Sequence, residues 1–132
     1  MPVENLQLFG AVTYQKATYE EGSYDGNWIP AIPKYILKAG AEYAFPFGTV
    51  LRCQYNDVGK WYTSKSNSSD YGGYQVLDLR ISQRIADNWT VSFDAKNLFD
   101  ETYSEYVSNW SGTNQYAGSD GSCFLLSVRY SK

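Results

Sequence analysis

From Trp89 to Lys96 every second residue is apolar: Trp89, Val91, Phe93 and Ala95, with Thr90, Ser92, Asp94 and Lys96 between them. Side chains alternate across a strand, so this stretch reads as a ribbon with one apolar side and one polar, charged side. Asn97-Leu98-Phe99-Asp100, with Tyr103 close behind, then breaks the alternation and reads as a bulge or strand end that re-aims the chain.

The same period recurs along the chain. Leu6 to Tyr14 reads as a strand with Leu6, Leu8, Val12 and Tyr14 on one face, and Tyr35 to Phe45 as a second with Tyr35, Leu37, Ala39, Ala41 and Tyr43 together. Thr49 to Tyr62 is expected as a third, Tyr74 to Ile85 as a fourth, and Cys123 to Tyr130 as the last. No segment has helical periodicity. The expected class is therefore all-β: about six antiparallel, up-and-down strands, each near or above about ten residues, where soluble strands average about five or six and tilted membrane strands need about nine to eleven. Connections alternate in length. Pro46 to Gly48 and Ala86 to Asn88 are short, whereas Tyr19 to Pro33, Ser64 to Gly73 and Glu101 to Gly121 are expected as long loops. Short turns at one rim and long loops at the other are the pattern of a transmembrane barrel.

Composition narrows the function classes. The 132 residues suffice for one domain, and a net charge of −3 does not suit a nucleic-acid partner. Histidine is absent, which removes Ser-His-Asp and Cys-His catalysis and imidazole zinc sites, and no cofactor or metal is expected. Asp100, Glu101 and Glu105 match no calcium-loop spacing. The adjacent acids Glu20 and Glu21 are expected as solvated loop charge rather than a glycosidase pair. Cys53 and Cys123 are expected unbridged, on non-neighbouring strands with opposite facing. No apolar run reaches the length of a membrane helix, about eighteen residues, and Met1 to Asn5 does not read as a signal peptide.

Aromatics are in excess at 17%, with thirteen Tyr and four Trp. Their apolar bodies and polar tips suit boundaries such as a membrane interface or a binding loop. One face of the strands has no charge at its central positions, and the other carries Lys38, Glu42, Arg52, Asp78, Arg80, Asp94, Lys96 and Arg129. A soluble sheet and a membrane barrel both generate that alternation. Strand length, loop asymmetry and aromatics near strand ends (Tyr35, Tyr43, Phe45, Trp61, Tyr62, Trp89, Tyr130) favour the membrane.

Four local patterns, in order, carry a resemblance. Ile29-Pro30-Ala31-Ile32-Pro33-Lys34, Val58-Gly59-Lys60-Trp61-Tyr62, Tyr74-Gln75-Val76-Leu77-Asp78-Leu79-Arg80, and Asn97-Leu98-Phe99-Asp100 with Tyr103 resemble successive late-strand motifs of TonB-dependent outer-membrane receptors. The likeness runs from Leu6 to Tyr130 and corresponds to the last third or so of their barrel domain. It implies a bacterial outer-membrane location and an energised importer of scarce ligands such as ferric siderophores or cobalamin, with a plug inside a barrel of about twenty-two strands. It implies outer-membrane lipid, the rest of the barrel, the plug and the TonB energising complex as partners. Residues 1–132 are expected to be one C-terminal barrel segment without a plug, ending in Tyr130-Ser131-Lys132 rather than a terminal aromatic. Six strands of a wide barrel leave two open edges, so an isolated chain is expected to close on itself or to self-associate.

Within this frame Trp28, Tyr106, Trp110 and Tyr116 are the candidate ligand-binding loop residues, because exposed aromatics grip flat or greasy small molecules; packing within their own loops is the competing expectation. Asn97, Leu98, Phe99, Asp100 and Tyr103 are expected to be architectural, with Asp100 accepting backbone N–H bonds. No catalytic residue is expected. The alternative function is a small soluble antiparallel barrel or sandwich that binds a ligand in an aromatic mouth.

Overall fold

The structure, a computed structural model, describes residues 5–132. Among them are ten strands and no helix: β1 (Leu6–Tyr14), β2 (Tyr35–Ala44), β3 (Thr49–Val58), β4 (Trp61–Tyr62), β5 (Asp70–Tyr71), β6 (Tyr74–Ile85), β7 (Trp89–Lys96), β8 (Ser104–Trp110), β9 (Thr113–Gly118) and β10 (Cys123–Tyr130). Six of them make one antiparallel sheet in the order β1-β2-β3-β6-β7-β10, an up-and-down path in which each long strand pairs with the next. The sheet does not close. β1 and β10 are its two edges, and β1 is exposed along its whole length.

All three long connections leave from one rim and both short turns lie at the other. The short turns have simple local causes. Gly48, at φ 86°, donates its N–H to the Phe45 carbonyl and closes the β2–β3 turn. Ala86, at φ 55°, takes the left-handed corner between β6 and β7.

Register fixes the two faces. Leu8, Ala41, Cys53, Leu79, Ala95 and Phe124 form one row across the six strands, and Leu6, Tyr43, Leu51, Ile81, Phe93 and Leu126 form the next row on the same side. The opposite side carries the row Gln7, Glu42, Arg52, Arg80, Asp94 and Leu125. That charged side is hollowed, with a concavity of about 620 Å³ over Arg52, Ser82, Ser92 and Arg129. Of the charged residues in the six long strands, only Asp57 shares the apolar side; it lies opposite Leu37 near the long-loop rim, where the Tyr35 hydroxyl reaches its carboxylate at 3.4 Å. Large apolar side chains remain exposed on the outer side, among them Leu8, Val12, Ile81, Phe93, Leu126 and Val128. A soluble sheet would cover such a surface. The internal core that the soluble alternative requires is therefore not what this side forms.

Aromatics gather at the short-turn rim. Tyr43 meets Phe45 edge-on at 4.6 Å, Phe45 lies 5.2 Å from Phe47, and Trp89 lies 4.9 Å from Tyr130. Trp61 and Tyr62, expected at a strand end, do not belong to such a band. The third strand stops at Val58 rather than Tyr62; the Gly59 N–H still reaches the Tyr35 carbonyl at 2.9 Å, and the Tyr35 ring covers the glycine. Trp61 and Tyr62 then turn away to pair with Asp70 and Tyr71, so the expected Ser64 to Gly73 loop contains a strand. The expected loop from Glu101 to Gly121 likewise contains the hairpin β8–β9.

Cys53 and Cys123 are both free thiols. They lie on β3 and β10, with β6 and β7 between, and their register places them on opposite sides of the sheet.

Candidate functional site

The most buried side chains lie chiefly outside the outer face of the sheet. Trp61 (3% exposed), Val107 (1%), Thr63, Asn97 and Ser104 cluster where the long connections meet. There the three connections are laced into one cap. Asn67 accepts the Trp28 N–H at 2.7 Å and returns its own amide to the Trp28 carbonyl at 2.8 Å, which ties the first connection to the second. Asn27 donates to the Lys65 carbonyl, and the Ala31 N–H to the Tyr62 carbonyl. Lys34 lies over both the Trp28 and Tyr62 rings, at 4.9 and 5.3 Å. The Asp70 carboxylate accepts from Lys60 at 2.7 Å, and this hydrogen bond raises the lysine pKa above its ordinary value.

The second and third connections join through a different set. Thr63 Oγ1 donates to Asn114 Oδ1 at 2.7 Å, Asn109 reaches Ser69 at 3.3 Å, and the Ser104 N–H donates to the Tyr71 hydroxyl at 3.0 Å. Rings fill the space between: Trp61 lies 4.7 Å from Tyr71, Tyr71 lies 6.0 Å from Tyr116, and Tyr74 stacks on Tyr103 at 4.4 Å. Burial, and then the nearby Glu105 carboxylate, push the Tyr103 pKa above its ordinary value.

The Asn97-to-Tyr103 segment anchors this cap to the sheet. Asn97, at φ 49°, donates its N–H to Asp78 Oδ1 at 2.9 Å, and its side-chain amide both donates to the Glu101 carbonyl and accepts the Glu101 N–H, each at 2.9 Å. The Leu98 N–H reaches the Leu77 carbonyl at 2.8 Å. Asp100, at φ 54°, accepts the Ser122 N–H at 2.8 Å and so fixes the start of β10. The Tyr103 carbonyl accepts from the Ser119 hydroxyl at 2.8 Å. Phe99 points away from all of this and is 77% exposed. The segment is a strand end followed by a tight turn, closed by the Asp100 N–H on the Asn97 carbonyl.

The four candidate aromatics do not form one surface. Tyr106, Trp110 and Tyr116 share the hairpin, but Tyr116 lies opposite Val107 and leans to Tyr71, whereas Tyr106 and Trp110 occupy the other face. Trp28 belongs to the first connection, beneath the Lys34 ammonium. Tyr106 borders a concavity of about 690 Å³ at the lumen mouth, together with Lys38, Tyr74, Lys96, Glu105 and Asp120. Trp110, at the hairpin tip, is 75% exposed. The residues whose part in the cap sequence reasoning missed are Trp61 and Tyr71 in the second connection and Val107, Asn109 and Asn114 on the side of the hairpin that meets it. The available signal was Ser111-Gly112: both have positive φ, as a two-residue type I′ turn requires, and alternating residues flank them.

An open antiparallel wall of long strands, apolar outside, charged inside and capped on one rim by laced loops, defines a piece of a transmembrane β-barrel. Comparison with known proteins supplies the family. The model described as TonB dependent receptor-like, beta-barrel matches residues 4–98, and the chain belongs to that family of outer-membrane receptors. A ferric-pyoverdine receptor from a Pseudomonas strain is 27% identical across 96% of this chain, which spans 16% of that relative's length. The ferrichrome outer membrane transporter and phage receptor of Escherichia coli is 27% identical across 75% of the chain, corresponding to 14% of the transporter. Among solved structures, the ferric preacinetobactin receptor of Acinetobacter baumannii matches 98% of the chain with a TM-score of 0.76 and 29% identity, over 20% of its own chain. The ferric yersiniabactin uptake receptor of Yersinia pestis gives a TM-score of 0.84 at 19% identity, a likeness of fold alone, over 98% of this chain and 21% of its own.

Proposed function

We propose that residues 1–132 form the C-terminal part of the barrel of a TonB-dependent outer-membrane receptor that takes up a scarce ligand, a ferric siderophore foremost and cobalamin as the other class. The observation that carries this reading is the division of the six-stranded sheet into an exposed apolar outer side and a hollow charged inner side beneath a cap of long loops. The named relatives receive ferric pyoverdine and ferrichrome, which supports iron-loaded chelators as the ligand class. In this reading the outer side meets lipid, β1 and β10 pair with the remaining strands, and the inner side faces a plug and the energising complex acts through it. Enzymatic chemistry has no place in it. Tyr106 and Trp110, on one face of the hairpin, offer the ligand its aromatic contacts, while Tyr116 packs on Tyr71 and Trp28 lies under Lys34. Asn97, Leu98, Phe99, Asp100 and Tyr103 set the position of the cap.

The test is uptake of iron-labelled siderophores by iron-starved cells with and without the gene. Loss of uptake for one chelator, restored by the gene only when the energising complex is intact, is the expected result. Undiminished uptake of every chelator and of cobalamin would remove the transport reading. Within the same experiment, the Tyr106→Ala/Trp110→Ala double variant is expected to weaken ligand binding on the order of ten-fold, the effect of losing aromatic anchors. Unchanged affinity would show that the two rings do not touch the ligand.

A further inference from the structure

Asp57 is the one charged residue that the six long strands place on their apolar side, and a concavity of about 420 Å³ opens beside it at the long-loop rim. Two ladder rows set its depth. Ala39, Tyr55 and Leu77 form one row, and Leu37, Asp57 and Gln75 form the next toward the rim, so the change from apolar to polar falls within the concavity. Tyr35, Phe99 and Glu101 also line it, and among the described residues no Lys or Arg does. The Tyr35 hydroxyl meets the Asp57 oxygens at 3.4 and 3.5 Å, longer than the roughly 2.5–3.0 Å of a good O–H···O bond, so the carboxylate keeps its capacity to accept. The ion pairs among the described residues, Arg52–Glu42, Lys60–Asp70 and Arg80–Asp94, leave Asp57 and Glu101 without a cation. Glu101 is held by its backbone, whose N–H and carbonyl both bond the Asn97 side chain. Phe99 stands out from the rim at 77% exposure.

We propose that this concavity binds the amine-bearing headgroup of an outer-leaflet glycolipid, with the ammonium between Asp57 and Glu101 against the Tyr35 and Tyr55 rings and the sugar that carries it under Phe99. An unpaired carboxylate at the boundary of hydrocarbon is costly and calls for a cation. Carboxylates beside aromatic faces suit an organic ammonium, which the ring quadrupoles attract. A bare phosphate would meet two acids and no base. A calcium or magnesium ion would take oxygen ligands and leave the three rings without a part. The occupant is a lipid because the concavity is continuous with the outer apolar side: chains of the same molecule descend over Leu77, Leu79 and Ile81 while the headgroup stays at the rim. In the receptor reading that rim faces the outside, where the lipid carries a sugar headgroup. The inference rests on that reading.

The test uses the full-length receptor in detergent micelles, with lipid retention read by native mass spectrometry. The probes are lipid A carrying aminoarabinose and the same lipid A without it. The receptor should retain the amine-bearing form at least about five-fold more strongly. The Asp57→Asn/Glu101→Gln variant should retain both forms equally while keeping the wild-type unfolding midpoint. Phe99→Ala leaves both carboxylates in place and should weaken retention of the amine-bearing form alone. Glu20→Gln, in the first connection, should keep the full preference. Equal retention by the wild type, a preference unchanged in the double variant, or a preference for unmodified lipid A that magnesium supports and a chelator abolishes would overturn the site. A receptor that needs no detergent and holds neither lipid would instead overturn the reading of the outer side as lipid-facing.

Discussion

Asn97 shows most clearly how one side chain holds a turn that its backbone resists. It sits at φ 49°, where a Cβ is disfavoured, and is 4% exposed. Asparagine tolerates that corner because its amide satisfies both polar groups of Glu101. We expect Asn97→Ala in the full receptor to lose about 1–3 kcal/mol, since two hydrogen bonds go and the strain stays. Asn97→Gly loses the same bonds but removes the Cβ, so it should recover about 1 kcal/mol relative to Ala. Urea unfolding midpoints in detergent micelles measure the difference. Equal losses for Ala and Gly would mean that the left-handed backbone contributes nothing. The sequence made this position conspicuous because Asn97 ends a strict alternation. Its partner Asp78 lies on another strand, and no local pattern announces that pairing.

At the scale of elements, the long strands were legible and the cap was not. Tyr74–Ile85 and Cys123–Tyr130 form over the residues that the period-2 pattern marks, and register keeps Leu77, Leu79 and Ile81, with Phe124, Leu126 and Val128, on one side of the sheet. The outer side then makes a quantitative demand. Ile81→Arg places a charge toward lipid and should cost about 2–4 kcal/mol when the receptor folds into vesicles, whereas Ser82→Arg, one residue on and facing the lumen, should cost little. Equal penalties at the two positions would mean that the outer side does not face hydrocarbon. The cap escaped sequence reasoning for a physical reason. β4 and β5 are too short, at two residues each, to show a period, and what holds the cap strands is contact between distant connections: Thr63 with Asn114, Ser69 with Asn109, Tyr71 with Ser104. Trp61 is the center of that contact set, buried at 3% exposure with Tyr71 and Tyr74 around it. Trp61→Ala should cost the cap about 3–5 kcal/mol, the usual loss for a buried Trp. Hydrogen exchange should then rise in the Ser104–Gly118 hairpin as well as in the second connection, while β2 and β3 keep their protection. Acceleration confined to the second connection would show that the loops are not one cooperative unit.

On the scale of the whole molecule, this chain has edges where a finished fold would have none. β1 and β10 run in opposite directions, as the first and last of an even number of alternating strands must. Each offers a row of backbone donors and acceptors, and the side between them is rich in exposed Leu, Val, Phe and Tyr. Such a sheet is stable only when its edges are paired and its outer side is out of water. Buried polar lacing in the cap cannot compensate, because it lies at one rim and leaves the middle of the sheet uncovered. The isolated 132-residue chain should therefore run as large assemblies in plain buffer and become dispersed only with detergent, as read by light scattering coupled to size-exclusion chromatography. Replacing outward Leu8 and Leu126 with Glu should raise its solubility without detergent, since both lie on exposed edge strands. A monodisperse monomer in plain buffer would require the edges to meet each other and the apolar side to turn inward. The Ile81→Arg penalty would then reflect a protein core rather than lipid.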